Sequence, residues 1–203
     1  MNIFFKKFFY EHFENKKEPA TDEILKTMED IRQLINKVDR RILVGHFPIY
    51  LIRMPKWLQR MILIFGFYEP VNKEVYISTY YPVGSYRFYS NLTHETLHYL
   101  HRCFGRGSFF KTEYEEAMNR ILTHWTIEKG ERFPNKIDDL GNTIDVLKEI
   151  QKEWICAMNV TTAILSENRI PMEDVFYAYY ARDEEFFREI FPDYFFESIW
   201  NYI

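Results

Sequence analysis

Between Asn91 and Arg102 the chain reads NLTHETLHYLHR, and His94, Glu95 and His98 within it form H-E-x-x-H. The apolar spacing around them predicts a helix from about Tyr86 to Phe104. Residues four apart share one helix face, so His94 and His98 can point two imidazoles at one ion, at roughly 2.0–2.1 Å each. Glu95 lies about 100° round the helix, off the ligand axis but near enough to take a proton from water activated there. This spacing suits metal-assisted hydrolysis, with His94 and His98 as zinc ligands and Glu95 as general base.

A catalytic zinc takes three protein ligands and keeps one open position. Candidates for the third lie in KTEYEEAMNRILTHW, after Gly105 and Gly107, which are expected to stop the first helix. On a helical wheel Tyr114, Met118, Ile121, Leu122 and Trp125 make an apolar stripe. Glu115 falls at its edge, where a half-buried ligand belongs, and Glu116 falls opposite it, towards solvent. Glu115 is therefore the expected third ligand and Glu116 the second choice. Asn119, one turn on, can hydrogen-bond Glu115 or a histidine ligand from behind. Thr112-x-x-Glu115 also fits a capping box, which would make Glu115 purely local. His101 shares the stripe of His94 and His98 but lies two turns from His94. It is expected to support the ligands from outside the coordination sphere or to be partly exposed. His46 and His124 are isolated and expected to be structural, with a place facing the cleft as an oxyanion stabiliser the alternative for either.

The rest of the chain frames this pair of helices. Ile24, Leu25, Met28, Ile31, Leu34, Ile35 and Val38 mark an amphipathic helix over Thr21–Arg40. MILIFGFYEPVNKEVYISTYY predicts two strands around a turn at Glu69–Lys73. Helices are expected at about 142–167, 171–181 and 183–203, after a polar connector at 129–141. Phe4, Phe5, Phe8, Phe9 and Phe13 recur at helical spacing in an aromatic N-terminal segment. The organisation expected is a helical segment at 1–19, a central domain at 20–130 and a helical region at 131–203 packed on it. The aromatic terminal segments are also candidate surfaces for a homo-oligomer or a partner.

Composition removes some classes. A net charge of −4 lacks the basic balance of a nucleic-acid groove, so no direct nucleic-acid partner is expected. No apolar run approaches the length of a membrane span. Cys103 and Cys156 do not make a disulfide scaffold, which predicts free thiols in a reducing compartment, the cytoplasm.

Three pieces taken in order, GFYEPVNKEVYIS, THETLHYLHR and EEAMNRIL, resemble the strand–strand–helix–helix core of the ImmA/IrrE-type metallopeptidases. The resemblance covers about Ile62 to Trp125. It implies an α+β fold with a zincin-like core, in which a small twisted sheet supports an active-site helix and a glutamate helix. It implies His94, His98 and Glu115 on zinc, Glu95 as base and Asn119 in support. It further implies a cytosolic endopeptidase of narrow specificity, of a kind that often acts on a DNA-binding transcriptional repressor. The strand VYISTYY is expected to pair with the extended substrate backbone. Leu97 stands where the family has Gly, and Met118 where it favours Ala. Their bulk supports an alternative, a non-cleaving zincin-fold regulatory or interaction module.

Overall fold

The computed structural model describes residues 17–42, 44–52, 65–69, 72–103, 109–130 and 152–196, with the backbone alone at 102, 103 and 152–154. The predicted N-terminal aromatic helix, the glycine break at 105–107, nearly all of the connector and the last residues lie outside that set. The elements in order are β1 (Glu18–Pro19), α1 (Asp22–Val38), β2 (Ile49–Ile52), β3 (Gly66–Glu69), β4 (Glu74–Ser78), α2 (Tyr86–Cys103), α3 (Thr112–Lys129), α4 (Lys152–Glu167), α5 (Met172–Ala181) and α6 (Glu184–Ile190), then a 3-10 turn at Asp193–Phe195. The fold is α+β, and the chain forms two compact units. Among the described residues no helix is long and apolar enough to cross a membrane.

The first unit comprises Met1–Ile31 and Gly45–Tyr99. Its sheet has the order β1-β2-β4-β3. β2 runs parallel to β4, while β1 and β3 are antiparallel to their neighbours. The β3–β4 hairpin forms as the sequence predicts, with Glu69 opposite Glu74. The strand expected to receive substrate does not have an edge to offer. β4 lies inside the sheet, bonded to β2 on one side and β3 on the other. It also ends at Ser78, because Thr79–Tyr81 turn away.

Side chains alternate across a strand, so the sheet has two distinct faces. One carries Val75, Ile77, Gly66 and Tyr68, and α2 packs there. Tyr99 of α2 stacks on Phe47 at 4.0 Å and meets Tyr68 edge-on at 5.8 Å. The other carries an aromatic ladder, Tyr50 to Tyr76 at 5.5 Å and Tyr76 to Phe67 at 4.5 Å, with the registers of three strands in line. Glu74 is buried on this second face. Its Oε2 accepts from Lys17 Nζ at 2.8 Å and from the Tyr76 hydroxyl at 2.7 Å. The bond to Glu74, with help from Tyr76, holds the Lys17 ammonium above its ordinary range. Burial pushes the Tyr76 phenol up to about 12.

The second unit comprises Arg32–Val44 and Leu100–Ile203. In it α3 packs along α4, and α5 packs against both α3 and α6. Ala157, Thr161 and Leu165, four residues apart, form the buried stripe of α4. The helix expected to run from 183 to the C-terminus stops at Ile190. Pro192 biases Phe191 to an extended backbone, and Phe191 adopts φ −103°, ψ 144°. The chain then returns along 109–111: Phe110 bridges to Phe196, and the Lys111 N–H donates to the Phe195 carbonyl at 2.9 Å. Tyr114 stacks on Phe195 at 3.9 Å and Phe110 on Phe196 at 5.4 Å. The aromatic excess of the C-terminal third is therefore largely the core of this unit. Phe176, Tyr179, Phe187, Phe191 and Phe195 are all buried.

Candidate metal centre

The helix that carries H-E-x-x-H starts at a side-chain cap. Ser85 Oγ accepts the Phe88 N–H at 3.3 Å, as an N-cap serine does for the third helical residue. Pro82 and Gly84, the latter at φ 86°, turn the chain into it. From Leu92 to His101 almost every position is buried, so α2 is enclosed rather than amphipathic. Threonines are accommodated there by bonding to their own helix. Thr93 Oγ1 donates to the Tyr89 carbonyl at 2.9 Å and Thr96 Oγ1 to the Leu92 carbonyl at 2.7 Å.

On this helix the His94 and His98 rings lie 4.6 Å apart, centroid to centroid, and nearly perpendicular at 87°. That is the one-face pairing expected of residues i and i+4. His98 is buried, and so is Glu95. Glu95 lies on the β3 side, where a Cβ built on Gly66 would come within 2.8 Å of its Cγ and 3.2 Å of its Oε1.

Among the described residues, His94, His98 and Glu116 offer ligand atoms that all lie within 4.8 Å of one another. This group could hold a metal ion. Imidazole nitrogens and a carboxylate oxygen are donor types that divalent metal ions accept. It includes the second choice for the third ligand rather than the first. Glu116 does not face solvent as the wheel predicts, but is half-buried. The buried stripe of α3 runs through Glu115, Met118, Asn119, Leu122, Thr123 and Thr126, about one residue round from the apolar stripe. Glu115 is only 3 % exposed and Asn119 is fully buried, one turn apart on that stripe. The capping box does not form. Thr112 is already inside the helix, Lys111 is the cap residue, and no side chain caps it.

His101 is fully buried, which overturns the partly exposed alternative. Its Nδ1 lies 3.0 Å from the Tyr179 carbonyl. A carbonyl only accepts, so Nδ1 carries the proton. The ring stacks on Tyr179 at 4.0 Å and 11°. His101 thus anchors α5 to the end of α2 within the second unit. His46 is exposed and His124 half-buried. Cys156 is a free, exposed thiol. Leu97 and Met118 are buried side chains of their helices.

Sequence reasoning missed Gly66. Its signal was a glycine inside a predicted strand, flanked by Phe65 and Phe67. It also missed Tyr99 and the Lys17–Glu74–Tyr76 group, whose partners are distant in sequence. No family model matches the chain, nor does any curated protein or any solved structure.

Proposed function

We propose that this chain is a zinc-dependent endopeptidase with a zincin-like core, cleaving a protein substrate. The observation that carries the reading is the α2 arrangement: two histidine rings turned to each other at 4.6 Å, with a buried glutamate between them in sequence. His94, His98 and Glu116 would hold the ion, and Glu115 stays a candidate beside them. When bound, zinc would polarise the scissile carbonyl and acidify the attacking water.

The chain's own residues supply the proton chemistry. The Glu95 carboxylate accepts the proton of the attacking water and returns it to the departing amine nitrogen, so one group acts as base and then as acid. Burial of Glu95 and His98 keeps bulk water from competing for these positions. The sheet bears on how substrate is held. Since β4 is an interior strand, an extended peptide would add at β3, the last strand in the order among the described residues. A transcriptional repressor remains the proposed substrate class, on the resemblance alone.

The test is cleavage of a peptide library prepared from a whole-cell digest, with the zinc-loaded protein and Glu95→Gln in parallel. The wild type is expected to cut a narrow set of peptides. The variant is expected to keep its metal and lose cutting by about 10²-fold or more. Equal metal content with no cutting by either protein would instead favour the non-cleaving interaction module.

A further inference from the structure

Gly66 is the first residue of β3 and pairs with Ile77, and a glycine in a strand packs nothing there. Its usual justification is a left-handed backbone, yet the positive-φ glycine among the described residues is Gly84. Space supplies the reason instead. A Cβ at position 66 would sit 2.8 Å from Glu95 Cγ, 3.2 Å from Glu95 Oε1 and 3.2 Å from Ile77 Cδ1. The first of these is closer than real side chains tolerate, and the obstructing atom is the middle of the glutamate side chain rather than its tip. Moving Cγ means changing χ1, in a residue only 7 % exposed on an enclosed helix. Ile77 is fully buried.

We infer that Gly66 is a positioning residue for Glu95: the missing side chain is the slot in which the glutamate stem lies, and the β3 main chain fixes where its carboxylate points. The catalytic consequence rests on the peptidase reading, while the slot itself does not. A side chain at 66 meets the Glu95 stem first, so the glutamate is the group it displaces.

The experiment is a double-mutant cycle on the full chain, with Gly66→Ala made in the wild type and in Glu95→Ala, which removes the obstructing Cγ. Gly66→Ala is expected to lower Tm by at least about 3 °C more in the wild type than in the Glu95→Ala background. The carboxyl carbon resonance of Glu95, assigned by its disappearance in Glu95→Gln, should move at fixed pH in Gly66→Ala. Additive Tm losses together with an unmoved resonance would overturn the inference. Where the wild type cuts peptides, Gly66→Ala should lower kcat by about tenfold or more with KM and zinc content unchanged. An unchanged kcat would overturn the positioning role even with coupling present. A wild type that cuts nothing would sink the peptidase reading, and the cycle and the resonance would still decide the slot.

Discussion

Glu74 and Glu95 are both buried carboxylates on opposite faces of one small sheet, and they are held in different ways. Glu74 is clamped by Lys17 and the Tyr76 hydroxyl, each bonded to the same oxygen. That arrangement ties the chain before β1 across β2 to β4, and it offsets the cost of burying the charge. The Glu95 stem lies where a side chain at position 66 would sit, and it follows His94 in the helix. A buried charge locked to a cation and a phenol is architecture. A buried carboxyl that follows one histidine and precedes another in the same helix is the group that the peptidase proposal uses as its base.

The contrast breaks most sharply at Glu95. Glu95→Gln should cost about 10²–10⁴-fold in cleavage, measured on the library peptide cut fastest. Its urea midpoint should stay close to the wild type's, because the amide has nearly the shape of the carboxyl it replaces. Glu74→Gln should do the reverse. It leaves Lys17 without its anion and should cost about 1–3 kcal/mol by urea unfolding, with kcat within about twofold of wild type. Equal stability losses for the two variants would erase the distinction.

A smaller effect sharpens the same point. Lys17 and Tyr76 both have folded pKa values raised above their unfolded ones. The native state therefore holds more protons than the unfolded chain once pH exceeds about 10. Their contribution is complete below that pH and is lost as pH climbs through the folded values, Tyr76 at about 12. The urea midpoint should therefore fall above pH 10, and less steeply in Glu74→Gln, which removes the first cause of the Lys17 shift. An identical alkaline slope in the two proteins would detach the pH dependence from this group.

What was legible in the sequence was local. The β3–β4 hairpin follows from strand residues around a turn, and α1, α2, α3 and α5 from apolar periodicity. His94 and His98 share a face because helix geometry alone requires it. What was not legible depended on distant partners. The order β1-β2-β4-β3 needs a parallel pairing of β2 with β4 across a long connection, and nothing in either strand encodes that neighbour. The glutamate face of α3 was misplaced for a physical reason. A hydrophobicity wheel centres on Tyr114, Ile121 and Trp125, yet these are half-buried, while Glu115, Asn119, Thr123 and Thr126 are buried. Polar residues on an interior stripe shift the true face by about one position. Leu25, predicted to be interior, is 48 % exposed. Gly66 was visible as an oddity, a glycine between aromatic strand residues, but its meaning needed Glu95 in space.

Metal content tests the central claim most directly. Zinc per chain should be measured by elemental analysis on the purified protein, beside His98→Ala and Glu95→Gln. About one zinc in the wild type and Glu95→Gln, and none in His98→Ala, is the predicted result. The same low content in all three proteins after incubation with zinc at neutral pH would contradict it.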